Sequence, residues 1–395
     1  MDSFSTKLKL KLFIARRTLG YTYDYVDRLY KIYLNHSKVI HFRDGYPVFS
    51  LTTPALFSKP SANFFARSLY RSIQNKNLPN LMSFAVNDIC NAACEHCSFF
   101  TAIDDKTRRT MNVEQCKKVI SDAQGLGVSV FNFVGGEPLM RKDLPSIIGS
   151  VDKDISSTVL FTNGWFLAER ASELRQAGLD SIYISIDSSD KDTHDNFRHK
   201  KGLFERAIKG IAEAKRLGMS TGISCTITPE SYASGEFDRI VELGKKIGIH
   251  EVLAFDALPT GRYKKRADLT VGAIWIDELI KGAKRYSEMD GYPGVIAHAY
   301  MTSHMSVGCS CGTSYFYVSP YGDITSCDFN SVKVGNVLKE PLYRIWDRLS
   351  SSEAYGSAKW GGCKVKDSTF NREIAPALSA DAPAACAGCS GCGAH

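Results

Sequence analysis

CNAACEHCSFF, residues 90–100, sets cysteines at positions 90, 94 and 97 in the spacing C-x3-C-x2-C. Three thiols fall within one short loop and no fourth follows nearby. Structural zinc usually takes four protein ligands, often as separated pairs, and this run fits that poorly. A four-iron cluster has four metal corners and takes thiolates as its usual ligands. Three cysteines would cover three corners and leave the fourth open, so the missing ligand is the feature to explain.

Working outward, the run follows a strand-like segment, LMSFAVN (81–87), the first of six. The others are VSVFNFV (128–134), STVLFTN (157–163), SIYISID (181–187), STGISCTIT (220–228) and EVLAFDAL (251–258). Helical patterns lie between them, such as NVEQCKKVISDAQGLG (112–127), LFERAIKGIAEAKRLG (203–218) and EFDRIVELGKKIG (236–248), each closing on a glycine stop. Strands alternating with helices predict a parallel sheet with covering helices, as a barrel or an open doubly wound sheet. Residues 271–288 read as one more helix. Beyond residue 300 the alternation gives way to short strands, turns and cysteines, ending in the tail SADAPAACAGCSGCGAH. The boundaries expected are an N-terminal extension over 1–80, the alternating domain over 81–300, and a small cysteine-rich domain over 301–395.

The 395-residue chain is 44% hydrophobic and 23% charged, the balance of a globular protein with a true core. No apolar run approaches the roughly 18 residues of a membrane-spanning helix, and no secretory leader is evident. A cytoplasmic, reducing compartment is expected. Ten of the 12 cysteines lie in two zones, 90–97 and 309–392, which in such a compartment points to metal rather than to disulfides. Residues 1–80 carry 13 Lys/Arg against 4 Asp/Glu, so the net charge of +7 sits entirely at that end. That is not the distribution of a nucleic-acid coat. The stretch KLKLKLFIARRTLGYTYDYVDRLYKIYL (7–34) reads as basic amphipathic helix, either peripheral to an anionic membrane face or packed on the main domain with its lysines in water. FSKPSANFFARSLYRSIQNKNLP (57–79) reads as an arm over the mouth of the domain or a membrane-facing element.

Four motifs in order resemble the radical S-adenosylmethionine superfamily. They are the C-x3-C-x2-C run, VGGEP (134–138) after the second strand, YISIDSSDKDTHDNFR (183–198) on and after the fourth, and ALPTGR (257–262) after the sixth. The resemblance implies a partial (β/α)6 TIM-like barrel. It also implies a four-iron cluster on Cys90, Cys94 and Cys97, with S-adenosylmethionine chelated to the open iron. Gly135, Gly136 and Glu137 would hold the methionyl amino group. Ser185 and Asp187 would serve the ribose and carboxylate, and Arg198 the carboxylate. The segment 257–262 would lie beside the adenine. One position departs: before the third cysteine, where the family usually has an aromatic or apolar residue, stands His96. The implied chemistry is reductive cleavage of the C5′–S bond to a 5′-deoxyadenosyl radical, which takes a hydrogen atom from substrate. A low-potential donor of the flavodoxin or ferredoxin type would supply the electron.

Strand alternation puts Ser224 and Thr226 on one face of the fifth strand and Ile223, Cys225 and Ile227 on the other. The polar face is expected to look inward, as are Asn132 and Asp256. Cys116 and Cys225 read as isolated packing thiols.

CGTSYFYVSPYGDITSC (311–327), a C-x10-G-x4-C hairpin turning at SPYGD, and VGNVLKEPLYRIW (334–346) resemble the start of a SPASM or shorter twitch extension, which carries auxiliary four-iron clusters. The expected ligands are Cys311 and Cys327, with the rest from Cys363, Cys386, Cys389 and Cys392. A structural zinc site is the alternative. The auxiliary centre would bind substrate or accept the electron left after hydrogen removal, the second making the net reaction an oxidation. The substrate readings that stay open are a lipid or other membrane-associated small molecule and a ribosomal peptide. A non-catalytic iron–sulfur or zinc protein is the remaining alternative.

Overall fold

A computed structural model describes residues 38–74, 76–99, 107–270, 274–352 and 362–367, with Ser5, Leu8, Lys9, Leu12, Tyr355 and Phe370. The amphipathic stretch 7–34 lies outside the described residues apart from Leu8, Lys9 and Leu12. So do Cys386, Cys389 and Cys392.

The described chain opens with a feature that was not expected. β1 (His41–Arg43) and β2 (Tyr46–Val48) pair antiparallel across Asp44-Gly45. Both turn residues have positive φ, 51° and 82°, the geometry for which Asp-Gly is favoured in a two-residue hairpin. Helix α1 (Lys59–Gln74) follows. The main domain then runs β3 (Leu81–Ala85), α2 (Val113–Leu126), β4 (Val130–Val134), α3 (Leu144–Ile148), β5 (Ser157–Thr162), α4 (Leu167–Gln176) and β6 (Ser181–Ser185). It continues through α5 (Lys191–Phe197), α6 (Leu203–Arg216), β7 (Ser220–Ile227), α7 (Pro229–Ala233), α8 (Glu236–Ile247), β8 (Glu251–Asp256), α9 (Ile274–Glu288), β9 (Gly294–Ala297) and α10 (His298–Thr302). The last elements are β10 (Tyr315–Val318), β11 (Asp323–Thr325), β12 (Gly335–Asn336) and α11 (Leu342–Ser350).

All six expected strands form. The sheet also extends past them, in the order β12-β11-β10-β3-β4-β5-β6-β7-β8-β9. Strand β9 adds parallel to β8, and β10 adds parallel to β3, with Tyr315 beside Leu81. The hairpin read at SPYGD is present, and it is joined to the main sheet rather than set apart from it. Among the described strands β9 and β10 do not pair, so the barrel is partial.

Period-2 alternation decides what each strand buries. Met82, Phe84, Phe131, Phe133, Ile182, Ile184, Ile223, Cys225 and Ile227 all point to the helices and are essentially inaccessible. Each of the Met, Phe and Ile side chains among them contributes about 1.5–3 kcal/mol through removal from water. The inward residues form two layers. The lower one, Val130, Val159, Tyr183, Leu253 and Ile296, is filled from below by Val48, Leu51 and Ala55. The floor is pinned by polar contacts: Leu51 N–H donates to Glu251 Oε2 (2.8 Å), and the Tyr183 hydroxyl donates to the same oxygen. Arg43 reaches Ser181 Oγ at 2.7 Å.

Helix α1 belongs to this closed end. Asn63 Nδ2 donates to Ser129 Oγ (3.2 Å) and to the Ile155 carbonyl (3.1 Å), both just before strand starts. Phe64 and Phe65 are buried. The described part of the 57–79 stretch, helix α1, is therefore not an arm over the mouth; it sits at the opposite end. None of the described helices is long and apolar enough to cross a membrane.

Candidate active site

At the open end the cysteine loop is gripped from three sides by the three later motifs. From VGGEP, Gly136 N–H donates to the Asn87 carbonyl (3.2 Å) and Glu137 N–H to the Ile89 carbonyl (2.7 Å). From the helix after β6, Ala93 and Glu95 N–H groups donate to the Arg198 and Phe197 carbonyls, both at 3.1 Å. From ALPTGR, Arg262 N–H donates to the Cys97 carbonyl (3.1 Å), and its guanidinium reaches the carbonyls of Ala93 and Cys94 (the latter at 3.1 Å).

These contacts explain the glycines. A Cβ on Gly136 would lie 2.2 Å from the Ile89 carbonyl oxygen, and one on Gly261 would lie 2.1 Å from that of Cys97. Both obstacles are backbone, which cannot swing away. Gly136 thus lets the cysteine loop pass close against the VGGEP turn.

Glu137 is fully buried, and its carboxylate accepts from Leu139 N–H (3.0 Å), Thr162 Oγ1 (2.6 Å) and Asn163 N–H (2.7 Å). Burial raises its pKa, and these donors oppose the rise. Asp187 lies behind Arg198, which donates through Nε (2.7 Å) and forms an ion pair through Nη2 (2.6 Å). Burial alone would push the Asp187 carboxyl up; the guanidinium outweighs it and holds the group below the usual range. The other guanidinium nitrogen points to Cys94 Sγ at 3.7 Å. The His96 ring stacks on Phe197, centroids 5.0 Å apart and planes 11° apart. Burial lowers its pKa to about 4, so it is a neutral ring.

Cys90, Cys94 and Cys97 line a chamber together with Gly135, Gly136, Glu137, Ser185 and Arg198. The inward count from the sequence holds for Asn132, Thr226 and Asp256, which line it too. Cys116 and Cys225 are buried packing thiols in the core, as expected. Two buried atoms of the chamber lining, Asn132 Oδ1 and His96 Nδ1, have no hydrogen-bond partner among the described residues. Unsatisfied buried polar atoms are uncommon and call for a ligand or water. The open end thus suits a polar cofactor such as S-adenosylmethionine.

The far wall of the same chamber carries Cys309, Cys311, Cys327 and Cys363. The Cys311 sulfur lies within hydrogen-bonding reach of the Cys309 and Cys327 sulfurs, and Cys363 is within electrostatic reach of Cys309 and Cys327. Cys311, Cys327 and Cys363 were expected; Cys309 was missed. It falls two residues before the hairpin pattern, and its C-x-C spacing was the available signal. Among the described residues no three Cys, His, Asp or Glu side chains close tightly on one point as a single-ion cage. An all-thiol set suits an iron–sulfur cluster.

A polar wall joins the two cysteine sets. Asp256, which is 1% exposed, meets His298 Nδ1 at 3.1 Å and Lys366 Nζ at 2.5 Å. Burial opposes its ionisation, and the hydrogen bond and charge of His298 with the charge of Lys366 overcome it, holding the carboxyl well below the usual range. The His298 ring packs between Phe255 and Phe329. Nearby, the Tyr315 hydroxyl sits between Ser83 Oγ (2.7 Å) and Asp328, whose pKa burial pushes up to about 6. His298 and Tyr315 were not read as site residues, because only the fold sets them beside Asp256 and Ser83.

Comparison with known proteins agrees with this arrangement. The Radical SAM superfamily profile matches residues 85–243, and the SPASM profile, described as an iron–sulfur cluster-binding domain, matches 309–392. The AdoMet-dependent heme synthase of Methanosarcina barkeri is 27% identical over 294 residues, 69% of this chain and 83% of that protein. The Fe-coproporphyrin III synthase of the same organism is 26% identical, covering 66% and 72%. Streptococcus suis SuiB bound to S-adenosylmethionine superposes with a TM-score of 0.59 over 76% of each chain at 17% identity, a likeness of fold. The chain belongs to the radical S-adenosylmethionine superfamily, as an enzyme whose partial barrel is joined to a SPASM-type iron–sulfur domain.

Proposed function

We propose that the chain removes a hydrogen atom from a substrate held between two iron–sulfur groups and leaves that substrate oxidised. The observation that carries this reading is that both cysteine sets line one chamber. Cys90, Cys94 and Cys97 would hold the first group, and Cys309, Cys311, Cys327 and Cys363 the second. When bound, they supply the electron that cleaves S-adenosylmethionine and a one-electron acceptor beside the substrate.

The protein's own residues then have distinct tasks. Arg198, locked by Asp187, presents a fixed cation to the methionyl carboxylate, and Ser185 faces the ribose. Gly135, Gly136 and Glu137 border the amino-group position. His96 offers a neutral ring beside the adenine. His298 uses Nδ1 on Asp256, which leaves Nε2 to exchange a proton with the substrate. The aromatic side chains of Phe161, Phe255, Phe329 and Tyr317 line the chamber and exclude water from a radical.

Within this reading the substrate is of the tetrapyrrole class named by the curated relatives, rather than a peptide or a lipid. The lipid reading leaned on the basic N-terminal stretch, and the part of residues 38–80 that packs on the domain does so at the closed end. The external electron donor is a flavodoxin- or ferredoxin-type protein. Anaerobically reconstituted chain, given S-adenosylmethionine, dithionite and iron-coproporphyrin III, should consume the porphyrin in step with 5′-deoxyadenosine formation. Formation of 5′-deoxyadenosine with the porphyrin unchanged would sink the substrate class and leave the radical chemistry standing.

A further inference from the structure

Two short basic segments flank the loop that carries Cys90, Cys94 and Cys97. His199-Lys200-Lys201 follows Arg198 directly, and Tyr263-Lys264-Lys265-Arg266 follows Arg262. Backbone bonds tie both to the loop: Ala93 and Glu95 N–H groups donate to the Arg198 and Phe197 carbonyls, and Arg262 N–H to the Cys97 carbonyl. Ala93 and Glu95 are exposed with Cys94 between them, so this edge of the loop faces water. The acids close to the two segments are engaged. Arg266 takes Asp268 (2.6 Å) and Glu230 (2.8 Å), Arg206 takes Glu169 (2.7 Å), and Glu95 lies 4.0 Å from His199 Nε2. Asp195 accepts from the Gly202 and Phe204 N–H groups. Four lysines are left over. Lys201, Lys264 and Lys265 are exposed and form no ion pair among the described residues. Lys200 Nζ sits over the Trp165 ring, 4.2 Å from the centroid. Beyond residue 80 the chain carries a slight excess of acid, so a patch of one sign beside this loop stands out from its surroundings.

We infer that this face is the docking surface for a small electron-transfer protein that presents an acidic patch around its own redox group. This rests on the proposed flavodoxin- or ferredoxin-type donor and on the role given to Cys90, Cys94 and Cys97. One electron leaves the reduced carrier and enters the group held by those thiols; no bond forms or breaks in that transfer. Lys200 and Lys201 on one flank, with Lys264 and Lys265 on the other, draw an acidic surface onto the exposed edge at Ala93–Glu95, beside Cys94. A patch of one sign raises the local concentration of an oppositely charged partner and speeds its arrival. Charges at the rim of an interface set the association rate and its salt dependence, which suits a carrier that must dock and leave at each turnover. Redox encounters of this kind have small interfaces, so two lysine pairs are a large share of the contact.

The test measures binding of a purified bacterial flavodoxin and, separately, a plant-type ferredoxin to full-length chain reconstituted anaerobically with iron and sulfide, by calorimetric titration at low and at high ionic strength. Lys200→Glu/Lys201→Glu and Lys264→Glu/Lys265→Glu should each weaken binding at least tenfold at low salt, and added salt should narrow the gap. Lys245→Glu/Lys246→Glu, in the last turn of α8 at the closed end, changes the net charge equally and should stay within twofold of the parent. Formation of 5′-deoxyadenosine driven by reduced carrier should fall with binding, while formation driven by dithionite stays within twofold in every variant. The Lys→Gln versions are read where a Glu version takes up less iron. The inference is overturned if both lysine-pair variants bind the carrier as the parent does, if the α8 pair weakens binding as much, or if the dithionite-driven rate falls alongside the carrier-driven one. A parent that binds neither carrier would overturn the donor class and the docking face with it. No nucleoside from the parent under dithionite would instead overturn the reading of the first cysteine set, and the titration would still decide the face.

Discussion

The two cysteine sets face one chamber but are assembled in different ways. Cys90, Cys94 and Cys97 sit on a single loop whose backbone is bonded to three later segments, with glycine at the two tightest crossings. Cys309 with Cys311, Cys327, and Cys363 come from three separate segments, and what joins them is side-chain packing around Tyr355 and the hairpin β10–β11. The first set is a local device with backbone bracing. The second depends on tertiary structure. The difference implies that the first set is sensitive to any atom added at its crossings, and the second to the loss of one thiol or one packing ring.

Gly136→Ala or Gly261→Ala should have the largest effect. The added methyl meets backbone at 2.2 or 2.1 Å, and overpacking of this kind costs about 1–3 kcal/mol or more. The expected outcome is loss of iron and of 5′-deoxyadenosine formation at the first set with iron retained at the second, read by iron analysis of each variant. Equal loss at both sets would mean that they are not separately built.

Next, Cys309→Ala should reduce iron at the second set while S-adenosylmethionine is still cleaved without substrate. Unchanged iron content would remove Cys309 from the ligand set. Asp256→Asn should cost roughly 3 kcal/mol, because it leaves Lys366 partly buried without its counter-charge. The Asp256 carboxyl lies below its ordinary range when folded, so its contribution is present from about pH 4 upward and is lost only under stronger acid. Denaturant unfolding should therefore give the same difference at pH 5 as at pH 7; a difference that vanished by pH 5 would contradict the ion pair. The smallest effect is expected from His96→Phe. It keeps a neutral ring on Phe197, and S-adenosylmethionine affinity should stay within about twofold; a tenfold loss, 1.4 kcal/mol, would show that the orphan Nδ1 binds the cofactor.

The same contrast explains what could be read from the sequence. Ser224 and Thr226 alternate with Ile223, Cys225 and Ile227, and that local pattern alone correctly put Cys225 in the core and Thr226 toward the chamber. The first cysteine set, with its motifs in order along the chain, was equally accessible. Strand β9 was not, since Gly294–Ala297 is too short to carry a period, and its identity comes from pairing with β8. The β1–β2 hairpin is signalled by Asp44-Gly45 alone, since its two strands of three residues each are too short to carry an alternation. His298 became a site residue only through contact with Asp256, 42 positions away. Cys309 stands two residues ahead of the C-x10-G-x4-C hairpin and so outside the spacing that marks Cys311 and Cys327.

The most direct test of the divided chamber compares two full-length variants under anaerobic conditions with dithionite and S-adenosylmethionine. One lacks the thiols at 90, 94 and 97, and the other those at 309, 311, 327 and 363. The account predicts no 5′-deoxyadenosine from the first and continued slow formation from the second; nucleoside from the first, or none from the second when its first cluster is intact, would contradict it.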